Sequence, residues 1–268
     1  MSEASEPRPT GSALADKAQA SAGEAWAKMK PLVVSAAAAS GIVALIFLLG
    51  RVRFDKDSLW LSVPHAFFNA AISAPLAVAV HRLILKGEVT PGIITFNRHY
   101  QWMFFVWLCA LALLNLALSS VFDGVRLLVP VAGMFTFFVR LVLSFFILVL
   151  AIGVFVFSIK SALIFPAVAI EAPSSNWRDR LQTSWRQMDG NFWLFVRALL
   201  LAILPLVLAT LIVAVASGVL AIMASVVGTK IVAVAQVMLA MIIQPAGVMF
   251  AAGVASWLYL WVRENPSA

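Results

Sequence analysis

The sequence predicts an all-α fold: a polytopic integral membrane helical bundle of about six transmembrane helices, with amphipathic interfacial helices in the inner loops. Hydrophobic residues make up 63% of the 268 residues and charged residues only 12%, whereas about a quarter of the residues of a soluble domain are charged. The mean hydropathy is +0.99. Because no soluble core could bury this much apolar surface, the chain must be solvated by lipid.

Six apolar segments are long enough to cross a bilayer, whose hydrocarbon core of about 30 Å takes about 20 helical residues. They cover residues 32–50, 59–80, 102–121, 141–158, 196–217 and 231–262. The sixth has 32 residues and would extend about 48 Å, so it must tilt, kink or leave the membrane. Pro245 lies inside this segment and favours a kink, because proline removes a backbone hydrogen bond from the helix.

The two ends of the chain are polar. Residues 1–30 are predicted to form a mostly disordered cytoplasmic tail, with weak helical character from Ala13 to Lys28, and residues 264–268 a short C-terminal tail. With the N-terminus inside, 13 Lys and Arg residues fall on the inner side and 5 on the outer side, with Arg140 at a boundary. The positive-inside rule therefore predicts that both termini are cytoplasmic. This orientation explains the net charge of +7, so we expect no nucleic-acid partner.

Two outer loops contain apolar stretches that are short for a membrane span. Their sequences are LLVPVAGMFTFF (127–138) and GVLAIMASVVG (218–228). They predict extra helical turns or interfacial helices, and re-entrant loops remain an alternative.

A polar stretch between the fourth and fifth spans, EAPSSNWRDRLQTSWRQMDGNFWLF (171–195), predicts an amphipathic helix on the inner membrane surface. Four apolar residues recur at spacings of 4, 4 and 3, which places them on one helical face: Trp177, Leu181, Trp185 and Met188. Tryptophan rings suit the membrane interface, and arginines can meet lipid phosphates. The candidate contacts to lipid or to a partner protein are Trp177, Arg178, Arg180, Trp185 and Arg186.

The ends of this helix carry capping signals. Asn176 is a favourable N-cap residue, and Gly190 is placed to end the helix in the left-handed conformation. Asn191 can then cap the fifth span.

Candidate sites for chemistry are sparse. In the second span, His65 and Asn69 lie one helical turn apart, and with Gln244 of the sixth span they form a candidate intramembrane polar site. Hydrogen-bonding glue between helices is the favoured interpretation of such residues. His81, Glu88 and His99 share one inner loop, but their spacing matches no strong metal motif. We therefore expect no catalytic set, no cofactor and no metal site.

Several short motifs resemble a known family. FPAVAIEAP (165–173), the pair Ser184-Trp185, GNFW (190–193) and AVAVHRLILKGE (77–88) resemble the membrane-domain family associated with glycerophosphoryl diester phosphodiesterases and related six-span bacterial inner-membrane proteins. The resemblance implies a bacterial inner-membrane bundle. It does not imply phosphodiesterase activity, since in that family catalysis belongs to a separate soluble barrel. Lys160 departs from the pattern, because an arginine is usual before the FPAVAIE run.

Three functions remain open at this point. The first is a non-catalytic inner-membrane protein that engages anionic lipid or a partner protein through its inner helices. The second is a transporter or channel for a lipid or small solute, and the third is a membrane enzyme acting on lipid head groups through His81, Glu88 and His99. The first is favoured, because the others require residues that the sequence does not display. The pattern does not indicate an oligomeric state.

Overall fold

A computed structural model describes residues 8–53, 59–90, 99–128, 133–170, 177–223 and 227–265. Within these ranges the chain forms nine α-helices and no strand. In chain order they are α1 (Gly11–Lys28), α2 (Lys30–Arg53), α3 (Leu59–Lys86), α4 (His99–Leu128), α5 (Met134–Lys160), α6 (Ile164–Ile170), α7 (Trp177–Met188), α8 (Phe192–Met223) and α9 (Val227–Glu264). The predicted all-α class is confirmed.

Six helical stretches are long and apolar enough to span a membrane. They are Lys30–Gly50, Leu61–Lys86, Gln101–Val121, Met134–Ile170, Phe192–Val215 and Val237–Glu264. Each overlaps one predicted span. The fourth contains both α5 and α6, so it is much longer than the segment 141–158 that the sequence predicts.

The helices also extend into the apolar stretches 127–138 and 218–228. α8 has 32 residues and α9 has 38, which correspond to about 48 and about 57 Å of helix. α4 continues to Leu128, and α5 begins at Met134. These turns agree with the predicted extra helix, while residues 129–132 and 224–226 lie outside the described residues. α9 remains helical through Pro245, and the prolines of α3 and α8 are accommodated in the same way.

α9 is the centre of the bundle. It packs against α1, α2, α3, α6 and α8, while α3 packs against α2 and α4, and α5 adjoins α4. The most apolar stretch of the α3 span has 61% of its residues buried, against 11% in the α4 and α8 spans and 17% in the α5–α6 span. The bundle therefore has α3 as its most buried span, α9 as the helix that contacts most of the others, and an apolar periphery of α4, α5 and α8.

The N-terminal region differs from the predicted disordered tail, because residues 11–28 form helix α1 and pack against α8 and α9. Its buried face is made of small residues with one large one: Gly11, Leu14, Ala15, Ala18, Ser21, Ala22 and Ala25. The close approach to α9 occurs at Gly253, where an added Cβ atom would lie only 3.0 Å from Cα of Ala18. Small residues permit such close packing between helices.

Polar contacts fix α1 in place. Thr10 accepts a hydrogen bond from the backbone of Ala13, which caps the helix start. The Trp257 indole of α9 donates to the Ser21 hydroxyl at 3.0 Å, and the Lys17 ammonium lies 5.0 Å from the Trp257 ring centroid. These contacts explain how a segment of low hydrophobicity becomes an ordered part of the bundle.

Candidate functional site

One end of the bundle, which we call the basic end, carries α1, α6, α7, the N-terminal ends of α2 and α8, and the C-terminal ends of α3, α5 and α9. The described residues there include twelve basic side chains: Arg8, Lys17, Lys28, Lys30, Arg82, Lys86, Lys160, Arg178, Arg180, Arg186, Arg197 and Arg263. They include six acidic ones: Asp16, Glu24, Glu88, Asp179, Asp189 and Glu264. The difference is a surplus of six positive charges among the described residues at this end.

Helix α7 forms where the sequence predicts it, but it buries a different face. The buried residues are Arg180, Ser184 and Met188, whereas Trp185 is 37% exposed. Of the predicted apolar face, Met188 is buried, Leu181 is half-buried and Trp185 is exposed. Asn176 lies outside the described residues, and the side chain of Trp177 is likewise not described.

The reason for this face is the docking of α7 on the end of α5. The Ser184 hydroxyl donates to the backbone carbonyl of Lys160 at 2.7 Å. That carbonyl is one of the last of α5, and such carbonyls have no partner within their own helix. A hydrogen bond to the neighbouring helix thus decides which side of α7 is buried.

The side chain of Lys160 also contacts α7, where it lies over the ring of Trp185. Its ammonium donates to the Asp189 carboxylate at 2.7 Å and lies 5.6 Å from the ring centroid of Trp185. The Trp185 indole donates to the Ser161 hydroxyl at 3.4 Å, and its ring meets Phe157 edge-on. Trp185 is therefore an anchor to α5 as well as a residue at the surface.

With this docking, two arginines project away from the bundle. Arg178, Gln182 and Arg186 are all exposed and follow one another at four-residue spacing. Arg178 lies about 200° around the helix from the buried Arg180, since each residue advances by about 100°. Two of the three predicted arginine contacts are thus presented outward, and the third is buried.

The turn after α7 ends the helix as predicted. Gly190 has a φ of 83°, which is the left-handed conformation that glycine favours. The carbonyl of Asn191 accepts from the Phe195 amide, so Asn191 holds the N-cap position of α8. Its side chain instead faces the turn, donating to the Gln187 carbonyl at 3.0 Å.

The turn is also held by the N-terminal segment, which the sequence does not indicate. The Arg8 guanidinium donates to the Asn191 side-chain oxygen at 2.9 Å and to the Gly190 carbonyl. Nearby, the Arg197 side chain packs over Gly11 at the start of α1. Residues more than 180 positions apart therefore meet at this turn.

The segment between α3 and α4 does not assemble a chemical site from His81 and Glu88. His81 lies within α3, fully buried, with Nδ1 2.7 Å from the Ser256 hydroxyl oxygen of α9. Glu88 is exposed and pairs with Arg82. The side chain of His99 is not described. Across the part of the chain that the structure describes, no three His, Cys, Asp or Glu residues are grouped to hold a metal ion.

The intramembrane polar residues fall into two contacts. Gln244 donates from its side-chain amide to the Asn69 backbone carbonyl at 3.3 Å and lies 3.4 Å from the Ser73 hydroxyl, which links α9 to α3. The His65 ring stacks obliquely near Phe47 of α2, with centroids 4.7 Å apart. Each contact joins two helices, as interhelical hydrogen bonding and packing require.

Comparison with family models, curated proteins and solved structures returns no match to this chain. The resemblance to the phosphodiesterase-associated membrane domains therefore stays a prediction.

Proposed function

We propose that this chain is a non-catalytic multi-pass protein of the bacterial inner membrane whose basic end faces the cytoplasm and binds anionic phospholipid head groups. The observation that carries the proposal is the outward row of Arg178 and Arg186 on α7, whose opposite side is docked on α5. Basic residues near a membrane surface are attracted to anionic lipid by about 1 kcal/mol each.

Two further features support this role. The surplus of six positive charges at the basic end is the sign that the positive-inside rule associates with the cytoplasmic side. Trp193, which follows the turn at the start of α8, is 76% exposed, and tryptophan is typical of the interface between hydrocarbon and head groups. An exposed arginine row beside an interfacial tryptophan fits phosphates lying just above the hydrocarbon.

The test compares lipid affinity in variants that keep the docked face of α7. Purified full-length protein in a neutral detergent is titrated with phosphatidylglycerol, and bound lipid is counted by native mass spectrometry. We expect the double variant Arg178→Gln/Arg186→Gln to bind about tenfold to thirtyfold more weakly, since two contacts of about 1 kcal/mol each are lost. Zwitterionic phosphatidylcholine should show no such difference.

The matched control is Arg140→Gln, the same substitution in α5 near the opposite end of the bundle. It should leave phosphatidylglycerol affinity within twofold of the unmodified chain. An unchanged affinity in the double variant, or an equal loss in the control, would refute the proposal. If the arginine row retains an acidic soluble protein strongly and the double variant has unchanged lipid affinity, the surface binds a protein partner instead of lipid.

A second candidate function is transport of a lipid or small solute. It is favoured by one observation, a cavity inside the bundle beside His81. Flux through reconstituted vesicles above that of empty vesicles would support it, and no flux across a broad solute panel would count against it.

A further inference from the structure

A partly open cavity of about 240 Å³ lies in the basic half of the bundle. It is bounded by residues of α3, α4, α5, α6, α8 and α9, and twelve of its fifteen lining residues are apolar. The three polar ones are Ser73, His81 and Ser158. None carries a formal charge when the histidine is neutral, so this site is chemically distinct from the arginine row on α7.

The hydroxyls of both serines have partners in the protein. Ser158 donates to the backbone carbonyl of Val154 at 2.8 Å, and the Ser73 oxygen lies 3.4 Å from the Gln244 amide nitrogen. The His81 ring uses Nδ1 for Ser256, at 2.7 Å. When Ser256 donates to Nδ1, the neutral ring carries its proton on Nε2 and has one donor left. Among the described residues, no protein group accepts from that nitrogen.

These features disfavour water as the occupant. A buried water is held by two to four polar partners, and apolar cavities stay dry. With both serines bonded within the protein, His81 is the polar lining residue that keeps a ring nitrogen not engaged by Ser256, within an otherwise apolar lining. The cavity therefore suits a molecule that is apolar along its length and carries a single hydrogen-bond acceptor.

The surrounding solvent supplies such molecules. Ser158 lies two residues before the end of α5, and Phe195 three residues after the start of α8, so the cavity lies near the basic end of both helices. α5 and α8 belong to the lipid-exposed periphery, and near the basic end they meet through Phe155 and Phe192, with ring centroids 6.3 Å apart. Both helices also line the cavity, so the boundary between them adjoins lipid on one side and the cavity on the other.

We propose that this cavity binds one acyl chain of a membrane glycerolipid, entering between α5 and α8, with its ester carbonyl accepting a hydrogen bond from Nε2 of His81. The volume of about 240 Å³ suits the first part of a chain, since at roughly 30 Å³ for a group the size of water it holds about eight methylenes. The bound lipid would be an intrinsic component of the inner half of the bundle.

The test uses full-length protein reconstituted with phosphatidylcholine that carries a photoreactive diazirine on carbon 6 of one acyl chain. After irradiation, labelled residues are located by mass spectrometry. We expect labels on cavity residues, Leu199 and Ala251 among them. Ala251→Phe fills the cavity and should reduce these labels at least tenfold, whereas Ala110→Phe, the same substitution at an exposed position of α4, should leave them unchanged.

A second measurement isolates the histidine and does not depend on the Ala251 variant folding. Ester-linked and ether-linked phosphatidylcholines compete with the photoreactive lipid. The ester lipid should compete about threefold to tenfold better, the value of one hydrogen bond, and His81→Gln should change this preference while Ser158→Ala should not. Labels confined to the exposed faces of α5 and α8 would overturn the site, and equal competition by both lipids would overturn the role of His81.

This inference is independent of the proposed function. The photoreactive lipid is zwitterionic, so Arg178→Gln/Arg186→Gln should not alter cavity labelling. Failure of anionic binding at α7 and failure of the acyl-chain site would therefore appear as different results.

Discussion

Replacing Gly253 with leucine should release α1 from the bundle. A Cβ atom at this position would lie 3.0 Å from both Cα and Cβ of Ala18 and 3.2 Å from its carbonyl oxygen. Two of these atoms belong to the backbone, so no side-chain rotation relieves the contact. An ordinary separation of 3.4–4 Å requires α1 and α9 to move apart by roughly 0.4 to 1 Å.

The energetic effect follows from this separation. Inserting carbon atoms into a packed contact costs about 1 to 3 kcal/mol, and leucine adds three more carbons beyond Cβ. A change of that size lowers the docking equilibrium of α1 by about 5-fold to 150-fold. The docking of α1 is sensitive to a loss of this size, because its buried face consists mainly of alanines, each of which buries little apolar area.

Hydrogen–deuterium exchange measured by mass spectrometry in detergent provides the assay. Amides of α1 should exchange at least fivefold faster in Gly253→Leu, while amides in the middle of α3 keep their protection. Gly247→Leu is the matched control on the same helix, because a Cβ atom there meets nothing within 4 Å. Unchanged exchange in α1, or equal acceleration in the control, would refute the close-approach argument.

Three smaller predictions concern contacts elsewhere. Ser184→Ala removes the hydroxyl bonded to the Lys160 carbonyl, a contact that contributes about 1 kcal/mol, and should speed hydrogen exchange in α7 severalfold. Thr183→Ala, on the exposed side of α7, should leave this exchange unchanged. Gly190→Ala places a side chain at φ 83° and should lower the free energy of unfolding by about 1 to 2 kcal/mol. The measurement is the shift of the thermal unfolding midpoint. Gln244→Leu should lower the free energy of unfolding by only about 0.6 kcal/mol, the value of a typical interhelical hydrogen bond, and should shift the midpoint slightly. A much larger loss of stability would contradict this.

The membrane spans were predictable because their signal is local. A run of about 20 apolar residues determines a span regardless of what packs beside it, so all six appear where hydropathy places them. Their lengths were less predictable. The fifth span is predicted to end at residue 217, whereas α8 continues to Met223.

The N-terminal helix shows what composition cannot reveal. Residues 11–28 contain few large apolar side chains, which is a composition typical of disorder. The segment packs closely on the bundle because Ala18 meets Gly253 of α9, which is more than 230 residues away. The signal available in the sequence was the spacing of 3, 4 and 3 among Ala15, Ala18, Ala22 and Ala25. This spacing indicates a packing face only once the contacting helix α9 is known.

The candidate site shows the same division. The sequence located α7, its terminating glycine and its arginines, because amphipathic spacing and turn chemistry are local. It did not predict that Ser184 would select the buried face, nor that His81 would meet Ser256 across 175 residues. Both contacts are hydrogen bonds between distant segments, which periodicity within one helix cannot indicate.

The way in which α7 is attached has a consequence for its function. Its described docking contacts include the neutral hydrogen bond from Ser184, the Trp185 ring and the fully buried Met188. In the ion pair of Lys160 with Asp189, the Asp189 side chain is largely exposed, and exposed ion pairs contribute only about 0 to 1 kcal/mol. Arg178 and Arg186 are on the other side of the helix and are exposed. The contacts from Ser184, Trp185 and Met188 involve neither arginine, so the variants Arg178→Gln and Arg186→Gln change the surface charge of α7 while these three contacts stay in place.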